Sequence, residues 1–133
     1  MKESRSILIT GCSSGIGLAT ARYLKERGYR VFAAARKEAD RRSLTHEGFE
    51  AILIDLNDIQ SIRMGLDEVL AATGGRLDAL FNNAAYGQPG AVEDLSLEAL
   101  RTQFEPNFFG THELTRLVIP VMRRQGHGRI IQN

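Results

Sequence analysis

Short apolar runs alternate along the chain with longer stretches whose apolar positions recur every three or four residues, and the alternation occurs five times. The first run, Ser6-Ile7-Leu8-Ile9-Thr10, is apolar throughout its centre, which marks a strand buried on both faces rather than one half-exposed to water. Behind it Ile16, Ala19, Thr20, Tyr23 and Leu24 keep helical spacing, so a helix is predicted from near Gly15 to a stop at Gly28. A second strand follows over Arg30 to Ala34, then a short helix from Ala39 to His46 closed by Gly48. Ala51 to Ile54 reads as a third strand, and a helix from about Asp58 to Ala72 ends at Gly74-Gly75. The nearly all-apolar stretch Leu77 to Phe81 is the fourth strand, followed by a loop from Asn82 to Asp94. Ser96 can cap a long helix reaching about Arg124, and Gly128 to Gln132 forms a fifth strand. Buried strands separated by helices imply crossover units and a parallel sheet, hence one α/β domain over residues 1–133.

Charge narrows the function classes. Seventeen basic residues face sixteen acidic ones, a net charge of +1, so the basic excess of a nucleic-acid binder is absent. Arg41-Arg42 and Arg123-Arg124 are isolated pairs that solvated helix faces explain. The lone cysteine, Cys12, excludes an intrachain disulfide, and His46, His112 and His127 lack zinc-ligand spacing, so no metal is expected. After the charged start Met1 to Ser6, the apolar run Ile7-Leu8-Ile9 is too short for a signal peptide or membrane span, and a cytoplasmic setting is expected.

The chemistry concentrates at the first turn, Thr10-Gly11-Cys12-Ser13-Ser14-Gly15-Ile16-Gly17. It follows a strand and opens a helix, the context in which a glycine-rich turn binds a dinucleotide rather than merely reversing the chain. Gly11 permits the tight turn, Gly15 clears room for a pyrophosphate, and Gly17 allows close helix–strand packing. The helix start offers unpaired N–H groups and a positive dipole end, and Ser13 and Ser14 add hydroxyl donors. A P-loop is excluded, since no Gly-Lys-Ser/Thr follows, and a purely structural turn is the competing reading.

The spacing Thr-Gly-x-x-x-Gly-x-Gly resembles the cofactor turn of the short-chain dehydrogenase/reductase family. Asn82-Asn83-Ala84 after the fourth strand is similar to that family's Asn-Asn-Ala-Gly motif, with Ala85 where the family usually has Gly. Asp55 after the third strand resembles the residue that contacts adenine, Asn107 in Asn-Phe-Phe-Gly resembles the active-site Asn, and Gly128 to Asn133 resembles the strand leading to the catalytic Ser. The resemblance covers essentially the whole chain. It implies a truncated, doubly wound Rossmann-type parallel sheet of order 3-2-1-4-5. It also implies a cofactor surface of Gly11, Ser13, Ser14, Gly15, Ile16, Gly17, Arg36, Asp55, Leu56, Asn82 and Ala84, with Asn107 as the catalytic-site residue. The family's Tyr-x-x-x-Lys is missing: Tyr23 is followed at that spacing by Arg27, Tyr29 by Ala33 and Tyr86 by Gly90. The catalytic Ser, Tyr and Lys are therefore expected beyond Asn133, and the chain alone is expected to lack turnover.

The second strand ends Ala33-Ala34-Ala35-Arg36-Lys37, with no acid to hold a ribose 2′-hydroxyl and a base to hold a 2′-phosphate. This favours NADP(H) over NAD(H), the competing reading being that both bases are simply exposed. Pro106, inside the long helix, removes an N–H and clashes with the carbonyl of Thr102, at a cost of about 3 kcal/mol. It either enforces the helix distortion that the family uses to hold a relay water beside Asn107, or it only improves packing. The resemblance implies hydride transfer between an alcohol and a carbonyl, with Tyr86-Gly87-Gln88-Pro89 facing a small apolar alcohol, aldehyde or ketone. A non-catalytic NADP(H)-binding module and a partner-dependent protein are the other two classes considered. The fifth strand, as an open edge beside uncovered apolar faces, predicts a homo-oligomer.

Overall fold

In the computed structural model, which describes residues 4–133, a five-stranded parallel sheet forms the middle layer. The charged start Met1 to Glu3 lies outside the described residues. Chain order gives β1 (Ser6–Ile9), α1 (Gly15–Glu26), β2 (Arg30–Ala35), α2 (Glu38–His46), β3 (Glu50–Leu53), α3 (Ile59–Ala72) and β4 (Ala79–Asn82). A single 3₁₀ turn at Val92–Asp94 precedes α4 (Leu97–Phe104), which runs into α5 (Thr111–Gln125) and then β5 (Arg129–Gln132). The strand order is β3-β2-β1-β4-β5, as the sequence implied.

Successive strand residues face opposite sides, and the apolar runs supply a core to each. Leu8, Phe32, Ile52 and Leu80 meet Ile62, Leu66 and Val69 of α3 and Leu114 and Val118 of α5. Ile7, Ile9, Val31, Ala33 and Phe81 meet Ala21 of α1 and Leu44 of α2 on the other side. Register pairs Ile9 with Ala33 and Phe81, so the carboxyl ends of the three central strands finish level and open onto one crevice. Such a crevice, where the order reverses between β1 and β4, is where open α/β sheets bind ligands.

The segment expected to be one long helix is helical from Leu97 to Gln125, but Glu105–Gly110 forms a wider π-helical turn between α4 and α5. Pro106 is the second residue of this turn, and the Thr111 hydroxyl donates to the Pro106 carbonyl at 3.1 Å. A π turn absorbs the missing proline N–H without ending the helix. The turn also seats Gly110 directly on the Leu56 carbonyl, where any Cβ would collide. The distortion expected at Pro106 therefore takes the form of a one-turn widening.

At β5, Ile130 packs on the α3/α5 core, whereas Ile131 is paired in register with Phe81 and left 42% exposed. The two isoleucines thus point to opposite faces, as expected of an edge strand.

Candidate functional site

An open cleft of about 410 Å³ lies at the carboxyl ends of β1 to β4, bounded by Gly11, Ser13 and Ser14 on one side and Asp55, Leu56 and Asn57 on another. Arg36 and Lys37 line its outer end, and Ala84, Ala85, Tyr86 and Pro106 line its inner end.

The glycine turn is built by close approach. Gly11, at φ +68°, lies against the Ala84 backbone, with 2.9 Å from the position of its absent Cβ to the Ala84 Cα. A Cβ on Gly17 would fall on the Gly11 carbonyl oxygen and within 2.6 Å of Asn83 Nδ2. Gly15 is different: its φ is +58°, and nothing lies within 4 Å of where a Cβ would be. Gly11 and Gly17 are thus packing glycines, whereas Gly15 has open space where a Cβ would be. That space fits a group that must approach the backbone.

The helix cap points the same way. Asp58 and Ser96 cap α3 and α4 by accepting from the Gln60 amide at 2.9 Å and the Ala99 amide at 3.1 Å. Ser14 occupies the equivalent place at α1 but makes no side-chain capping bond. The first amides of α1, like those of α2, lack the side-chain cap that α3 and α4 receive, and Ser13, Ser14, Gly15 and Ile16 are all exposed around those of α1. An anionic group would supply the missing acceptors.

Thr10 holds the opposite wall. Buried beside the turn, its hydroxyl accepts from the amides of Asn83 and Ala84, each at 3.0 Å. Asp55 is preset by Asn57, whose backbone and side-chain amides donate to one carboxylate oxygen at 2.9 and 3.1 Å. The side chains of Arg36 and Lys37 are exposed and have no hydrogen-bond or ion-pair partner among the described residues. Arg41, one turn along α2, is by contrast tied to Glu38 and Glu68.

Of the expected residues, Gly15, Ile16, Gly17, Asn82 and Asn107 do not line the cleft; the first three belong to the turn beside it, and the two asparagines have other partners. Asn82 is buried on the other face, where its amide donates to Thr115 of α5 at 2.9 Å, and its Oδ1 has no partner among the described residues. Its neighbour Asn83 lines the cleft instead. Strand alternation carries this signal, since adjacent side chains cannot both face the ligand. Asn107, half-buried on the π turn, spends both ends of its amide on one residue: Oδ1 accepts from the Tyr86 N–H at 3.1 Å and Nδ2 donates to the Tyr86 carbonyl at 2.7 Å. Its side chain fixes the loop that carries Tyr86 and Ala85 along the cleft.

Cys12, inside the turn, is buried; burial pushes its thiol up to about 12, despite the counteracting backbone hydrogen bond from Ala34. A thiol held this way carries little of the reactive thiolate at neutral pH. No group of His, Cys, Asp and Glu suited to a metal ion occurs among the described residues. No helix among them is long and apolar enough to cross a membrane.

Comparison with known proteins gives the same picture. The profile described as short chain dehydrogenase matches residues 5–132. The chain is 44% identical over 127 residues to the uncharacterized oxidoreductase YbbO of Escherichia coli K12, covering 96% of this chain and 47% of that one. It is 35% identical over 129 residues to the 3-ketodihydrosphingosine reductase of Bacteroides thetaiotaomicron, covering 97% and 46%. The F189W actinorhodin polyketide ketoreductase solved with NADPH superposes with a TM-score of 0.89 at 34% identity, covering 97% and 52%. The chain spans about half the length of the curated relatives it matches. A profile match over nearly the whole chain, on the strand order and glycine turn described above, makes this chain a member of the short-chain dehydrogenase family.

Proposed function

We propose that the chain forms the NADP(H)-binding half of an oxidoreductase that interconverts an alcohol and a carbonyl. The observation that carries the cofactor preference is the outer end of the cleft, where β2 ends in Ala35 and the next two residues are unpaired cations. An acid at Ala35 would bind a ribose 2′-hydroxyl and repel a 2′-phosphate; Arg36 and Lys37 do the reverse. Ser13, Ser14 and the open face of Gly15 receive the pyrophosphate at the start of α1, and Asp55 and Leu56 flank the adenine.

NADP(H), when bound, supplies or accepts the hydride. The residues of this chain orient it. Asn107 fixes the backbone of Tyr86, and Tyr86, Ala85 and Pro106 bound the inner end of the cleft where the reacting ring would lie. A placed proton donor is still required, and none of the three tyrosines here is followed by lysine four residues on. The isolated chain therefore binds cofactor without turning over. Substrates are small apolar alcohols, aldehydes or ketones; the name of one relative, 3-ketodihydrosphingosine reductase, supports the ketone chemistry but not the size. The cytoplasm is the proposed setting.

Calorimetric titration of NADPH and NADH tests the reading. Arg36→Ala should weaken NADPH by about 1.5–3 kcal/mol, the worth of a hydrogen bond to a charged group, and leave NADH nearly unchanged. Equal losses for both cofactors would show that Arg36 does not read the 2′-phosphate.

A further inference from the structure

The amide of Asn83 is the piece that fits into the glycine turn. Its Nδ2 donates to the Thr10 carbonyl at 3.1 Å and to the Gly11 carbonyl at 3.3 Å, so both hydrogens are used. The same nitrogen fills the hollow left by two glycines, 2.6 Å from where a Gly17 Cβ would be and 3.1 Å from a Gly11 Cβ. The remaining valence of this amide is Oδ1, and it accepts from Asn133 Nδ2 at 2.9 Å. Asn133 is itself placed by the end of the β4–β5 ladder, its N–H donating to the Asn82 carbonyl at 3.2 Å. A flipped Asn83 amide would set Oδ1 against two carbonyl oxygens and Nδ2 against the donor of Asn133. Asn133 therefore adds a third hydrogen bond to the orientation that the two backbone carbonyls select for Asn83.

We propose that Asn133 is a positioning residue for the dinucleotide turn, acting through Asn83, so that the end of β5 sets the geometry of the pyrophosphate site across β4. This rests on the reading that the turn binds NADP(H). Asn133 does not itself line the cleft and reaches the turn through its hydrogen bond to Asn83.

A double-mutant cycle in the whole chain tests this, with NADPH affinity as one readout and side-chain amide exchange of Asn83 by NMR, without ligand, as the other. Asn133→Ala should weaken NADPH about three- to tenfold, the effect of one neutral hydrogen bond, and should speed exchange of the Asn83 amide protons. Asn133→Asp, the same shape without a donor at neutral pH, should do at least as much. In an Asn83→Ala background the Asn133 change should have no further effect on affinity. Losses that multiply in the double variant would mean that Asn133 acts only on general stability and would overturn the proposal. So would unchanged Asn83 exchange in both Asn133 variants, even if the unsubstituted chain failed to bind NADPH. That failure would instead count against the cofactor reading.

Discussion

Gly17→Ala separates close packing from helix propensity, because the two predict opposite signs. Gly17 lies in the first turn of α1, where alanine is ordinarily better than glycine by about 1 kcal/mol. Here the added methyl would fall on the Gly11 carbonyl oxygen, 2.9 Å from the Gly11 carbonyl carbon and 2.6 Å from Asn83 Nδ2. Two of those three atoms are backbone, and the third is held by hydrogen bonds to Thr10 and Gly11, so none can swing aside cheaply. Overpacking of this kind costs about 1–3 kcal/mol and sometimes more, and the rigid neighbours place this case at the upper end. The net result is a loss of about 2 kcal/mol. With a urea dependence of about 1–3 kcal/mol per molar for a chain of this size, the unfolding midpoint should fall by roughly 1 M. Gly15→Asn is the companion: asparagine tolerates the left-handed backbone at φ +58°, and no protein atom is in its way. It should keep most of the stability while weakening NADPH more than about tenfold, by filling the space before the turn. Urea unfolding followed by circular dichroism, with calorimetry on the folded variants, reads both. A Gly17→Ala variant as stable as the parent would refute the close approach, and a Gly15→Asn variant binding NADPH normally would reduce the turn to a structural one.

Three other outcomes are expected. Cys12, buried and with its thiol pushed up to about 12, should resist a thiol reagent at neutral pH in the native protein and react on unfolding; rapid native labelling would contradict its burial. Burial opposes ionisation of Asp78, but the Ser6 N–H, His127 and the Ser6 hydroxyl outweigh it and lower its pKa. A lowered folded-state pKa makes the Asp78 contribution present above an unfolded value of about 4 and lost as pH falls through the folded one. Asp78→Asn should therefore flatten the stability profile in that acid window alone, and an unchanged slope there would refute the assignment. Phe104, Phe108 and Phe109 are about half exposed on and beside α4, and Ile131 is exposed on β5, so sedimentation should show concentration-dependent self-association; a monomer at high micromolar concentration would exclude it.

The strands and helices were legible because buried parallel strands are unbroken apolar runs, and strand order followed from the resemblance. Boundaries moved where side chains took over backbone roles. β4 starts at Ala79 rather than Leu77, because the Leu77 N–H and carbonyl are both satisfied by the Gln125 side chain. Ser14, Gly15 and Arg36 could be nominated from sequence because the spacing that singles them out is local, and all three are exposed, Ser14 and Arg36 lining the cleft. The partnerships of Asn107 with Tyr86, Asn83 with Asn133 and Asp78 with His127 could not, since each depends on register between distant segments. Pro106 announced a disturbance, but whether a helix kinks or widens is decided by what packs on it, here Leu56 against Gly110.

The most direct test of the cofactor cleft is a ¹⁵N-resolved NMR titration of the chain with NADPH, monitoring backbone amides. The largest shifts are expected at Ser13, Ser14, Gly15, Ile16 and Arg36, with smaller ones at Asp55 and Ala84, and weaker effects at Arg36 when NADH replaces NADPH. Shifts confined to the amino ends of the strands, around Arg5, Arg76 and His127, or no saturable shift at all, would contradict the cofactor cleft.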